Sequence, residues 1–226
     1  MLSRVVGIQD ENSGLAGLKY INSTQKRGLD WAIAAAASAG TLPIVALIAG
    51  AVWLSDKSCP PLISLNLPGT DTIFPRVLKI RTMCIGAQQN EMEVADGGNL
   101  AQINSDPRIL PMGRIIRRTS LDELPQFWQV LTGEWSMVGI RPLSVADQNN
   151  ALTLDGNLWE RYVRLLKSGV KPGVTGFYGI FGRKDIKDLE ERILMEETYG
   201  ERASMKVDLK IIALTIPAVL SGKGAR

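Results

Sequence analysis

From Trp31 to Leu54 the chain carries no charged side chain: WAIAAAASAGTLPIVALIAGAVWL is about 24 residues of uninterrupted apolar or small character. As a helix, that length is enough to cross the hydrocarbon of a bilayer. No other stretch resembles it. The chain therefore divides into residues 1–25, polar and without periodicity and expected to be a loosely ordered leader; residues 26–57, expected to be a membrane element; and residues 58–226, expected to be one folded domain. The run is too long for the apolar part of a signal peptide, begins too far in, and lacks a cleavage site after it. A buried helix of a soluble protein, suggested by the many alanines, is the other alternative.

Pro43 sits near the middle of this segment, where its ring removes a donor and crowds the preceding turn. A bend or break is expected around Ala39–Pro43. Lys26 and Arg27 flank one end and Lys57 the other, so charge does not send the two ends to opposite sides. A re-entrant helix, entering and leaving by one leaflet, fits both features; a kinked span is the simpler alternative.

Beyond Leu54 the composition is that of an α-rich domain. Prolines and a glycine between Cys59 and Met83 punctuate the short apolar runs LISL and VLKI, which read as strands. Residues 91–104 read as a polar surface segment, 114–131 as helix, 159–166 as an amphipathic helix and 172–182 as a Gly-rich loop. Residues 185–199 read as a charged surface helix with Glu190, Glu191, Glu196 and Glu197 in water. The apolar run near the C-terminus is short of a span and suits an interfacial or core helix. Phe127, Trp128 and Trp135 are expected in the core or at the membrane interface.

Histidine is absent and the two cysteines, Cys59 and Cys84, form no CxxC pair. That excludes an imidazole- or thiolate-held zinc site and every Ser-His or Cys-His nucleophile. Chemistry at neutral pH then falls to carboxylates, Lys, Arg or a hard metal ion on oxygen ligands. The formal charge of +3 is small and interspersed, which does not imply nucleic acid.

The segment Gly113–Gln126, GRIIRRTSLDELPQ, is the most informative. Ser120 followed by Glu123 is a capping-box spacing, so Ser120 is expected to cap a helix whose first turn holds Asp122 and Glu123. Such acids can simply favour the helix dipole. Beside them, however, stand Arg114, Arg117 and Arg118, with Arg141 in the IRP turn, and guanidinium forks match phosphate oxygens. One acid can attack phosphorus and the other can hold Mg²⁺ against a diphosphate.

The run RRTSLDELPQFWQVLTGEWSMVGIRPL closely resembles the core signature of the bacterial sugar transferases, the monotopic polyprenyl-phosphate phosphoglycosyltransferases. LKIRTM, DPRILPMGRIIR, VKPGVTGFYGIFGR and DLKIIALTIPAVLSGKGA resemble it too, in order. The resemblance implies an α-rich α/β catalytic domain, helices around a small sheet, with a re-entrant membrane helix broken at Pro43 and interfacial amphipathic helices. It implies transfer of a phospho-sugar from a UDP-sugar to polyprenyl (undecaprenyl) phosphate, with Mg²⁺, at the cytosolic face of the bacterial inner membrane. Membrane lipid is then a partner, and a homodimer is admitted. Residue by residue, Asp122 would be the nucleophile and Glu123 the Mg²⁺ ligand. Lys79 and Arg117 would be phosphate-side cations, with Arg141 and Pro142 in the nucleotide-side loop and Arg81, Arg114 and Arg183 as further substrate-binding residues. Asp208 matches a further acidic position.

Three features depart from the family pattern: Leu42 where a Ser usually precedes the Pro, with Thr41 as its expected substitute; the segment before LKIRTM; and Ile140 before Arg141. The altered 59–78 region motivates a second expectation, a catalytically reduced homologue acting as a membrane partner in polysaccharide assembly, against which the intact Asp122 and Glu123 argue. A membrane-tethered binder of anions through Arg114–Arg118 is a third.

Overall fold

The computed structural model describes residues 13–65, 76–83, 109–143, 145–154, 156–181 and 188–220. The expected leader up to residue 12, the 91–104 segment, Cys84 and Arg183 lie outside them.

Helix α1 (Ser13–Ile21) turns into α2 (Thr24–Ser55) at Ser23, whose hydroxyl accepts from the Lys26 N–H at 3.1 Å. Its extended backbone and short oxygen are what an N-cap requires. The buried side of α2 is a single stripe, Lys26, Asp30, Ala34, Ser38, Val45 and Val52, at the spacing of one helix face. Around it Trp31, Leu42, Ile44, Leu47, Trp53 and Leu54 are exposed. Only 11% of its most apolar stretch is buried, so α2 is not the core helix of a soluble domain.

Of the bend or break expected around Ala39–Pro43, a break is not found: helix runs continuously from Thr24 to Ser55. Proline deletes a single bond, to the Ala39 carbonyl, and the turns on either side keep theirs. Nor does Thr41 take the place of the missing Ser at that carbonyl: its hydroxyl donates to Ala37 O at 2.7 Å, one turn back along the helix.

Strands β1 (Leu62–Leu65) and β2 (Val77–Ile80) pair antiparallel, Ile63 opposite Lys79. There follow α3 (Pro111–Arg118), a 3₁₀ turn (Leu121–Glu123), α4 (Gln126–Thr132), β3 (Ser136–Val138), α5 (Val145–Leu154) and α6 (Gly156–Lys167). Then come β4 (Gly173–Thr175), α7 (Phe177–Phe181), α8 (Leu189–Arg202) and α9 (Met205–Leu220). Strands β3 and β4 pair in parallel, so among the described residues there are two two-stranded sheets where one small sheet was expected. A Cβ on Gly139 would lie 2.2 Å from Lys171 O, which explains why backbone can pack on backbone there.

Two expectations on elements fail for local reasons. The 114–131 helix is three pieces, because Ser120 adopts φ +54° and Pro125 has no N–H to continue a ladder. The 172–182 loop contains β4 and α7, since the Gly residues serve close strand pairing instead of turns. The main core joins Val138, Ile140, Leu143, Leu158, Tyr162, Phe177, Ile193, Tyr199 and Ile211. A second cluster packs Val45 and Val52 of α2 against Ile80 and Ile116, with Leu121, Leu124 and Trp128 at its edge. Trp135 is in the core and Phe127 packs against it.

Both ends of α2 are thus tied to the same folded body. At one end Lys26 Nζ, buried, lies 2.7 Å from Asp208 Oδ2 and 3.0 Å from Asp30 Oδ1, and donates to Val138 O at 2.9 Å. Arg27 beside it donates to Val130 O and Leu131 O at the end of α4. At the other end Asp56 Oδ2 lies 2.5 Å from Arg81. Of the flanking cations from which topology was to be read, Lys26 and Arg27 are engaged in internal contacts, while Lys57 is exposed over the Trp53 ring. The exposed Met205, Leu209 and Ile216 of α9 form a stripe opposite buried Asp208 and Ile211, an amphipathic surface helix.

Candidate active site

Ser120, far from capping a helix, makes no side-chain cap bond; its left-handed backbone ends α3 and swings the chain into the 3₁₀ turn. An N-cap needs extended backbone, so the capping-box spacing was met without its geometry. The turn buries Asp122, 7% exposed, and leaves Glu123 partly accessible. Strand β2 supplies the facing cation: Lys79 Nζ is 3.5 Å from Glu123 Oε1 and 4.0 Å from Asp122 Oδ2. Strand β2 is fixed in turn by Gln129 of α4, which accepts from Leu78 N at 2.8 Å and donates to Arg76 O.

Helix α3 lies against the chain just after β2. Arg117 Nε donates to Thr82 Oγ1 at 2.8 Å, Leu110 N to Thr82 O at 3.0 Å, and a Cβ on Gly113 would stand 2.3 Å from that same oxygen. Gly113 sets how near the cationic helix comes to β2. Gly113→Ala is therefore expected to push α3 away and lower stability by about 1–3 kcal/mol, measured as a denaturant midpoint shift.

Burial is the largest influence on Asp122 and pushes its carboxyl up to about 6. Lys79 opposes the rise, Glu123 adds to it and Arg117 opposes it. An acid held near neutrality inside a cationic pocket can be ionised at pH 7 and still be poorly solvated, which suits a nucleophile.

Of the predicted site residues, the structure brings Asp122, Glu123, Lys79 and Arg117 together. Arg114 is on the same helix, half-buried, with a buried Nε that has no partner among the described residues. Arg81 is a correction: it is wholly enclosed, its guanidinium bonded to the Asp56 carboxylate and to the carbonyls of Asp56, Cys59 and Pro60, so it closes the exit of α2 and has no surface for substrate. Arg141 and Pro142 follow β3 in a turn whose backbone bonds to α8, and Lys171 donates to Gly133 O at 2.6 Å. Pro43 stays within α2.

Sequence reasoning missed the buried cluster of Lys26, Asp30, Asp208, Tyr20 and Tyr199. Tyr20 donates to Asp208 at 3.0 Å and Tyr199 at 2.9 Å, while Asp30 accepts from Ser136 and Met137 N. The Lys26–Asp30 spacing at i,i+4 was the available signal. It also read Glu196 as solvated, whereas it is fully buried, with Oε1 accepting from Arg141 N and Oε2 without a hydrogen-bond partner among the described residues.

Among the described residues no group of three or more Cys, Asp or Glu gathers as a metal cage. Magnesium does not need one: it is commonly bound by one or two carboxylates, with phosphate oxygens and water completing the octahedron. Glu123, accessible and adjacent to Asp122, fits that donor set.

The chain is 36% identical over 173 residues to the galactosyl transferase CpsE of Streptococcus agalactiae, 74% of this chain and 36% of that protein. It is 34% identical over 203 residues to the UDP-glucose:undecaprenyl-phosphate glucose-1-phosphate transferase of Escherichia coli K12, 88% of this chain and 41% of that one. With the exopolysaccharide production protein ExoY of Sinorhizobium fredii it shares 31% over 216 residues, covering 92% and 91%. The chain spans about two fifths of the length of the first two and nearly all of the third. The family model for bacterial sugar transferases matches residues 21–222, taking in α2, the acidic turn and α9 alike, and the chain belongs to that family.

Proposed function

We propose that the chain moves a sugar 1-phosphate from a UDP-sugar to undecaprenyl phosphate, releasing UMP, at the cytosolic surface of the bacterial inner membrane. The observation that carries this is the buried acid Asp122, facing Lys79 and Arg117, on a turn shared with accessible Glu123. In the first step an Asp122 oxygen attacks the β-phosphorus. The bond from that phosphorus to the bridging oxygen breaks, and its electron pair leaves with UMP. In the second step an oxygen of the polyprenyl phosphate attacks the same phosphorus and expels the Asp122 carboxylate. One phosphoanhydride is lost and one formed, so no further energy source is needed. Lys79, Arg117 and Arg114, whose buried Nε lacks a partner among the described residues, hold the phosphate oxygens. Glu123 would hold Mg²⁺, which neutralises diphosphate charge when bound.

A lipid acceptor and a water-soluble donor must meet at an interface. Exposed apolar residues on α2, with Met112 and Ile115 on α3 and the α9 stripe, supply a surface for lipid. A straight span would carry Asp56 to the opposite side of the bilayer from Lys26, yet both are bonded to one folded body. That supports a re-entrant α2, its tip near the exposed Leu42, Ile44 and Leu47.

The test is UMP release by nanodisc-held protein from a panel of UDP-sugars with undecaprenyl phosphate and Mg²⁺. Mg²⁺-dependent release with one donor is expected. Silence across the panel from folded protein would contradict this reading and favour the catalytically reduced partner. Binding that merely fades with salt would favour the anion-binding module.

The pH dependence follows from Asp122. Since the ionised form attacks, kcat/KM is expected to climb about tenfold per pH unit below about 6 and level off above it. Stability runs the other way: the raised carboxyl contributes stability fully present below 3.8 and lost as pH rises through about 6. A kcat/KM profile flat from pH 5 to 7 would contradict the assignment.

A further inference from the structure

The turn Arg141–Leu143 has every main-chain polar group held by a buried side chain. Arg141 N donates to Glu196 Oε1 at 2.9 Å, and Arg141 O accepts from the Tyr162 hydroxyl at 3.4 Å. Pro142 O accepts from Arg192 at 3.0 Å. Leu143 N donates to the Tyr162 oxygen at 3.2 Å, and Leu143 O accepts from Gln148 at 3.0 Å. Tyr162 and Glu196 are 0% exposed, Gln148 4% and Arg192 7%. Water would satisfy an ordinary surface turn at no cost in buried polar groups. Here three helices, α5, α6 and α8, contribute polar side chains to do it.

Arg192 is itself fixed, by Asp147 at 2.6 Å and by stacking its guanidinium 4.8 Å from the Tyr178 ring centre. What the turn presents is the half-buried Arg141, whose guanidinium has no bonded partner among the described residues. A cation on an immobilised backbone, with its own donors uncommitted, is preorganised for an anion.

We propose that Glu196, Tyr162, Arg192 and Gln148 form a main-chain clamp that presets Arg141 for the diphosphate of the donor, with Glu196 and Tyr162 as positioning residues. This rests on the reading of the donor as a UDP-sugar. Burial raises the Glu196 carboxyl to about 8 against the pull of Arg192, so near neutral pH it is chiefly an uncharged acceptor, which glutamine can imitate.

The experiment is calorimetric binding of UDP with Mg²⁺ to the full chain in nanodiscs. Glu196→Ala and Tyr162→Phe are expected to weaken Kd roughly tenfold, and Glu196→Gln less than about threefold. Because Glu196 acts through Arg141, the double variant Arg141→Ala/Glu196→Ala should bind no more weakly than Arg141→Ala alone. Additive losses would show Glu196 to be merely structural and would overturn the clamp. So would folded Glu196→Ala and Tyr162→Phe proteins that bind as the wild type does. If Glu196→Ala fails to fold, Tyr162→Phe decides, since it removes one hydroxyl and keeps the ring. Wild-type protein that binds no UDP would remove both the clamp and the donor reading; wild-type binding with unaltered variants would remove the clamp alone.

Discussion

Asp122→Asn is expected to abolish UMP release, a loss of at least about four orders of magnitude in kcat, while the protein stays folded. Asparagine has the same shape and keeps a carbonyl oxygen, but its amide cannot attack phosphorus. Stability should not fall, because the substitution removes a buried charge whose desolvation is what raises the Asp122 carboxyl. Turnover and thermal midpoint measured on the same preparation separate the two effects. Residual activity within about tenfold of wild type would dismiss Asp122 as nucleophile.

The second large effect lies far from the phosphate chemistry. Lys26→Ala leaves Asp30 and Asp208 buried beside each other without the ammonium that both contact, and deprives Val138 O of a donor. Breaking a buried pair by removing one partner costs about 3–5 kcal/mol. Asp208→Asn should cost less, since Lys26 keeps Asp30, an amide oxygen in the place of Oδ2 can still accept from Lys26 and Tyr20, and the amide NH2 in the place of Oδ1 can donate to the Tyr199 hydroxyl, which has Val138 O to donate to. Denaturation in mild detergent reads both. A Lys26→Ala protein within about 1 kcal/mol of wild type would show that this cluster does not anchor the foot of α2.

The comparison of sequence with structure divides along physical lines. Periodicity and composition located α2, α6, α8 and both early strands to within a few residues, because the long apolar run and the short apolar runs set off by Pro and Gly are local signals. The acid pair was legible through the cluster Arg114, Arg117 and Arg118 just before it and the resemblance of the whole block to the family signature. Its setting was not: Ser120 satisfies the capping-box spacing yet takes a left-handed backbone, and only tertiary contacts with Thr82 and β2 decide that. Arg81 was misassigned because a guanidinium suits a carboxylate as well as a phosphate, and Asp56, 25 positions away, claims it. Glu196 looked solvated because a glutamate among glutamates usually is; its Oε1 is claimed by Arg141 N, 55 positions away, which no window of α8 encodes. Pro43 carried a real constraint, the loss of one hydrogen bond, but not enough to interrupt a helix of 32 residues.

The central claim, a phospho-sugar held on Asp122 between two displacements, is tested most directly by incubating nanodisc-held protein with labelled UMP and an accepted UDP-sugar in the absence of polyprenyl phosphate. The account predicts that label enters the UDP-sugar, with Mg²⁺ present, and that Asp122→Asn shows none. No exchange, from protein that turns over once lipid acceptor is added, would mean direct transfer between the two substrates and would contradict the covalent intermediate.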